Sequence, residues 1–304
     1  MNSPVRPNGR RTAVVAIVAS AAAAASLGLA GTASAQVVGV TQFSSPAPVG
    51  PTPRASAVLA KTGAGPDGIA VDALGNVYTA NSRANTVTKM TPGGRASVLG
   101  TTGQTPRGIA IDSAGTVYTS NLGANTVTKI TADGVSTVLG ATGRQPIDIA
   151  LDAAGNVYTT NYLDSTVTRI TPSGASSVFG TTGSRPLGIT LDPAGNVYTA
   201  NEGANTVTRI TPSGASSVFG TTGGWPQAIA IDGAGNVYTA NWNSRNVSKI
   251  TPAGASTILG RTSRRPIGIA LDPSGNVYTT NDGSSTVSRI TPGGMSKVIA
   301  RTGR

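Results

Sequence analysis

The chain has 304 residues, with 12 acidic side chains, no histidine and no cysteine. Any chemistry it performs therefore rests on carboxylates, amides, hydroxyls and arginines. Without His the commonest general base and the commonest metal ligand are missing, and without Cys there is no thiol nucleophile or disulfide framework. Six of the carboxylates (Asp72, Asp112, Asp152, Asp192, Asp232 and Asp272) recur every 40 residues. Such a ring could hold a metal or supply acid–base pairs. Each member, however, opens a D-x-x-G stretch ending at Gly75, Gly115, Gly155, Gly195, Gly235 or Gly275. There an Asp side chain accepts the N–H groups of its own turn, and Gly supplies the positive φ of a tight hairpin. These six are read as turn residues. The carboxylates that break the repeat are better candidates for chemistry: Asp67, Asp148 and Glu202, the last being the chain's one Glu. If they bound a metal, oxygen donors would select Ca²⁺ or Mg²⁺ over zinc, with the recurring asparagines as neutral neighbours. No other cofactor is expected.

The elements that must position these residues are set by a repeat. Six copies begin at Lys61, Thr101, Ala141, Thr181, Thr221 and Arg261, with no insertion or deletion between them. The first copy holds four strand-like stretches, 68–72, 76–80, 86–90 and 96–99, alternating in Val, Ile, Tyr and Thr and bounded by Gly, Pro, Asn and Asp. That is strand patterning, and no sustained 3.6-residue period competes with it. A period of about 40 with four strands per copy predicts radial repetition, which protects sheet edges. The expected fold is all-β, a six-bladed β-propeller over 55–304. Tyr78 and its five equivalents should pack between blades, and the small inner residues Ala70, Ala110, Ala150, Ala230 and Ala270 should suit the crowded axis. Two stretches resemble a fourth strand outside the count, 55–60 and 295–300. The N-terminal one is expected to act as a clasp that closes the ring on the last blade.

Residues 1–35 read as a secretory signal peptide. Arg6, Arg10 and Arg11 precede an Ala/Val/Leu-rich stretch over 13–30, and Ala33-Ser34-Ala35 gives a cleavage site between Ala35 and Gln36. Residues 36–54, with Pro46, Pro48, Pro51 and Pro53, form a Pro-rich linker of extended type. The expected product is secreted, has no membrane span after cleavage and is monomeric. Removing three leader arginines from a net charge of +11 leaves +8, which favours an anionic cell-wall glycan, peptide or protein as partner and, for an exported chain, disfavours nucleic acid.

The strands P-x-G-I-A-V-D, G-N-V-Y and V-x-K-I, as in 66–72, 75–78 and 87–90, resemble NHL-type repeats. They are also similar to the repeats of the streptogramin B lyase group and of bacterial receptor-kinase sensor propellers. The resemblance covers 61–300 and implies a propeller. NHL repeats usually carry Asp after the second strand, where this chain has Asn81, Asn121, Asn161, Asn201, Asn241 and Asn281. The lyase mechanism depends on histidine, so that activity does not carry over to a chain without one. Sugar-lactonase relatives hold a metal through Glu, Asn and Asp, a set to which this chain brings a single Glu.

Comparison of the copies with one another locates the variable positions. The D-x-x-G-N and T-P-x-G turns hardly change and share one end, the bottom. Variation gathers in the loop before the first strand and in the loop joining strands two and three, both at the top. Function commonly sits in variable loops on a rigid frame. These loops and the adjoining strand starts carry Arg107, Arg144, Asp148, Tyr162, Arg185, Glu202, Trp225, Trp242, Arg245 and Arg265. Aromatics gathered with arginines suit recognition. The sequence thus favours a binding propeller with a basic, aromatic top face. The alternative is a hydrolase or lyase-like enzyme with a carboxylate or metal site at the channel mouth.

Overall fold

The computed structural model describes residues 60–302. The expected signal peptide, its cleavage site and the linker lie outside the described residues. The fold is all-β: six four-stranded antiparallel sheets follow one another as propeller blades. In blade 1 the strands are Pro66–Val71, Val77–Asn81, Thr86–Met90 and Ala96–Thr101, and each later blade repeats them 40 residues on. The one helical feature among the described residues is a 3-10 turn at Asp282–Ser284.

The bottom turns are built as the sequence predicts. Asp72 Oδ1 accepts from Leu74 N and Asn76 N, while its Oδ2 accepts from Asn76 Nδ2 and from the Tyr78 hydroxyl. Burial alone would raise the Asp72 pKa, but these hydrogen bonds hold it below its ordinary value. The tyrosines respond in the opposite sense. Burial, then the neighbouring carboxylate, pushes the phenols of Tyr118, Tyr158 and Tyr198 up to about 12, so they remain neutral donors. The rest of each ring packs between blades. Tyr78, Ala80 and Val87 meet Ile109, Ile111, Val117 and Ile130 of the following blade.

At the top of each second strand a fully buried asparagine ties the blade together. In blade 4, Asn201 Nδ2 donates to Thr206 Oγ1 and Thr208 Oγ1, and Asn201 Oδ1 accepts from Thr199 Oγ1. These amides are spent inside the sheets and are not free to act as metal ligands, which corrects that part of the enzyme reading. Ala70, Ala110, Ala150 and Ala230 face the next blade. The tightest approach near the axis is at glycine instead: a Cβ on Gly68 would stand 2.3 Å from the Arg107 carbonyl oxygen.

Two bulges recur in every blade and re-aim side chains. In the first strand, residues 67 and 68 fall between the Pro66–Asn81 and Ile69–Thr79 pairs. In the fourth, Leu99 is skipped between the Val87–Gly100 and Thr88–Val98 pairs and turns toward the next blade.

The expected clasp is not how the last blade is completed. Its outer strand is its own Ser296–Arg301, paired with Thr286–Ile290, so no vacancy is left for residues 55–60, of which 55–59 lie outside the described residues. Inner strands of neighbouring blades lie together from blade 1 through blade 6, but blades 6 and 1 make no comparable contact among the described residues.

Candidate functional site on the top face

Antiparallel pairing places the two variable loops of every blade at one end. Their backbone is unusual. The residue before the inner-strand proline has positive φ in all six blades: Gly65 in blade 1, then Thr105, Gln145, Arg185, Trp225 and Arg265 at φ 53–60°. The last residue of the loop joining strands two and three is also left-handed, at Asn85, Asn125, Ser165, Asn205, Arg245 and Ser285. Asparagine there has a structural reason, since Asn85, Asn125 and Asn205 each accept the N–H of residue 105, 145 or 225. Arginine and tryptophan have none, and bulky residues in this region cost about 1–3 kcal/mol each. Thr105 and Gln145 share the conformation, so the loop and not the residue type sets it; Arg185, Trp225, Arg245 and Arg265 adopt it at a cost that glycine would not carry. Arg185→Gly is expected to raise Tm by a few degrees, as thermal denaturation would show. An unchanged or lower Tm would mean the arginine contributes to the fold.

The site residues fall into clusters. The indoles of Trp225 and Trp242 stack at 5.2 Å with 20° between planes, and Arg265 lies 5.0 Å from the centroid of Trp242. Trp225 is 45% exposed. Arg185, Arg245 and Arg265 are exposed and have no carboxylate at ion-pair distance among the described residues. Next along the rim, Glu202 joins three blades, accepting from the Tyr162 hydroxyl at 3.0 Å and from Gln227 Nε2 at 3.3 Å. Burial first, then Glu202, raises the Tyr162 pKa. Arg144, largely exposed, pairs with Asp164 of its own blade, with Nε at 2.6 Å.

Nearer the axis, Arg107 Nε stands 2.9 Å from Asp67. Asp148 lies beside this pair. Its Oδ1 accepts from Ile149 N and its Oδ2 from Ile189 N, so one carboxylate bridges blades 3 and 4. Solvent reaches part of the residue, yet protein surrounds the carboxylate, and that depth governs its charge. Burial pushes its pKa up from 3.8 to about 6, against the two amide bonds and the Arg107 charge, with Asp67 adding to the rise. A raised folded-state value means this group favours the fold below pH ~4 and loses that contribution as pH climbs through about 6. The swing is about 3 kcal/mol at most. The Tm difference between wild type and Asp148→Asn is therefore expected to fall between pH 4 and pH 7. Parallel Tm profiles would contradict this.

The sequence-derived residues are thus not one site. Trp225, Trp242 and Arg265 come together, as do Tyr162 with Glu202 and Asp67 with Arg107 and Asp148. The metal candidates do not converge: Glu202 is committed to Tyr162 and Gln227, and no group of three or more acidic, His or Cys side chains able to hold a metal occurs among the described residues. Gln227 was missed. Its signal lay in the repeat, where Asp67, Arg107 and Gln227 are the polar departures at a position otherwise Ile147, Leu187 and Ile267.

Residues 136–299, just over half of the chain, match the virginiamycin B lyase family. The chain belongs to that family. The likeness to the streptogramin B lyase group read from the repeats is borne out. Virginiamycin B lyase from Staphylococcus aureus shares the fold at 21% identity and TM-score 0.69, over 79% of this chain and 85% of that one. A catalytically inactive variant of the same enzyme, with a histidine replaced by alanine, has been solved with quinupristin; it aligns at 22% identity and TM-score 0.68, over 77% and 83%. A gluconolactonase from Xanthomonas campestris aligns at 18% identity and TM-score 0.56, over 73% and 85%. At these identities the likeness is one of fold. No curated protein matches the chain.

Proposed function

We propose that this member of the virginiamycin B lyase family is a secreted, monomeric binding propeller that recognises an anionic cell-wall glycan, peptide or protein through its top face. The observation that carries the reading is the Trp225–Trp242 stack with Arg265 against it. Stacked indoles offer a flat apolar platform for a sugar ring or other planar group, and the unpaired arginines beside it supply charge-assisted hydrogen bonds to carboxylate or phosphate.

Lyase chemistry is the family's other suggestion. The inactive relative is one from which a histidine has been removed, and this chain has no histidine anywhere. The carboxylate that burial pushes toward neutrality, Asp148, has both oxygens engaged by backbone amides of Ile149 and Ile189. That is the arrangement of a structural bridge.

The test uses the fact that Trp225 and Trp242 are the chain's two tryptophans, so emission excited beyond the absorption band of the seven tyrosines reports on the site alone. Titration with a soluble uronic-acid polysaccharide, a teichoic-acid-type polyphosphate and an acidic peptide should shift the emission with at least one of them, in a salt-dependent manner. Neutral dextran serves as the control. No shift with any anionic probe, or equal response to dextran, would sink the proposal.

A further inference from the structure

The outer rim of each interface from blade 1 to blade 6 is closed by one contact. The bulged residue of one blade (Leu99, Leu139, Phe179, Phe219 or Leu259) turns toward the next, and the glycine after it lies flush against that neighbour. A Cβ on Gly100 would stand 2.5 Å from Ser136 Oγ and 2.8 Å from Ile130 Cγ2. Gly140, Gly180 and Gly220 meet an equivalent Ile–Ser pair at 2.6–2.8 Å, and Gly260 meets Ile290 Cγ2 at 2.7 Å. Close packing at that level leaves room for glycine alone.

The position continues beyond these five. Forty residues before Gly100 stands Ala60, and forty after Gly260 stands Ala300. Ala300 lies in the outer strand of blade 6 and is exposed. Ala60 is half-buried, like most of the glycines. The blade that follows it is also the one that departs at both facing positions: Met90 stands where the others have Ile, and Ala96 where they have Ser. An unbranched Met lacks the Cγ2, and Ala lacks the Oγ. Those are the two atoms that an alanine Cβ would strike. Three departures around one blade, each removing the clash made by the others, describe a fitted contact. Burial on this face agrees. Val77 and Met90 are 2% exposed, while Ile69, on the inner strand, is 41% exposed, against 5–8% for Ile109, Ile149, Ile189 and Ile229. The outer half of the face is covered and the inner half is open.

We infer that the outer face of blade 1 is a docking surface for the chain's own segment 55–60, which takes the place of a preceding blade's outer strand. In this arrangement Ala60 meets Met90 and Ala96 as Gly100 meets Ile130 and Ser136. The segment caps the first blade and does not clasp the last one. Among the described residues blade 6 therefore presents an open outer face, where Ile299 is 44% exposed although its equivalents Leu99, Leu139, Phe179, Phe219 and Leu259 are packed.

Thermal denaturation of the full chain tests this with a coupled set of substitutions. Met90→Ile with Ala96→Ser restores the pair found in the other blades and should clash with Ala60, lowering Tm by about 5 °C. Adding Ala60→Gly should recover most of that loss, because the combination is the one used at the other five interfaces. Leu59→Asp should lower Tm by a similar amount, and Ile299→Asp by no more than about 1 °C. No loss in the Met90→Ile/Ala96→Ser variant, or a loss that stays the same size when Ala60→Gly is added, would overturn the docking. An Ile299→Asp loss equal to that of Leu59→Asp would overturn the uncovered sixth blade and favour a clasp or a second copy of the chain on that face.

Discussion

Trp242→Ala is expected to weaken binding of whichever anionic probe shifts the fluorescence by about 30-fold or more, with Tm falling by no more than a few degrees. The size of the effect follows from position. Trp242 is half-buried and has two partners, the stacked indole of Trp225 and the Arg265 guanidinium. Each contact is worth about 1 kcal/mol, but its chief consequence is to hold an exposed aromatic and a free cation in fixed relation. Without the central indole, Trp225 and Arg265 lose their orientation as well as a neighbour. Calorimetric titration of wild type and variant, with Leu74→Ala on the bottom face as a control, separates this from a general loss of fold. Equal affinity in Trp242→Ala and wild type would remove the stack from the site and, with it, the observation on which the binding reading stands.

Asn201→Leu is expected to cost about 3 kcal/mol, lowering Tm by about 10 °C. The shapes are close, so little of the loss is packing. The amide and carbonyl serve three threonine hydroxyls, of which Thr208 also accepts from Gly183 N across the top loop. Leucine leaves buried hydroxyls without partners where water does not reach them, since Asn201 and Thr199 are fully buried and Thr208 is nearly so. A Tm change under about 3 °C would mean that the hydroxyls find other partners and that the knot is redundant.

The fold was legible because forty-residue periodicity fixes it before any single residue is understood. Asp72, Gly75 and Tyr78 could be assigned turn and packing roles from position alone, and the side-chain bonds that Asn76 and Tyr78 make to Asp72 are the parts of that knot the pattern did not reveal. The asparagines were harder. Read as neutral ligands around a mouth, they instead face into the sheet, an orientation fixed by tertiary pairing with Thr86 and Thr88 and not by local type. On the top face, comparison of the copies named the two variable loops that strand pairing brings to one end of each blade. It could not tell that Arg144 would be taken by Asp164, that Glu202 would reach both Tyr162 and Gln227, or that the two tryptophans would stack. Those facts depend on the angle between blades, which no single repeat contains. The closure expectation failed for a related reason. Two spare strand-like stretches look like rivals for one place in a ring, whereas Ala60, Met90 and Ala96 speak for a different place.

Blades 6 and 1 make no contact comparable to those between the other neighbours among the described residues, and this bears on how such a chain can lengthen. In a ring sealed end to end, a further blade must be accommodated by every angle at once. Here each angle is set locally, by one Leu- or Phe-bearing bulge, one glycine and one Ile–Ser pair, repeated without insertion from Gly100 to Ser296. An in-frame duplication of any internal 40-residue unit reproduces both halves of that contact, so its product meets its neighbours correctly on the day it arises. The identity of TPSGASSVFG at 171–180 and 211–220 has the form such an event leaves behind. In this fold, copy number is open to inheritance, while the two ends, with their alanines, are the parts that have to stay unique.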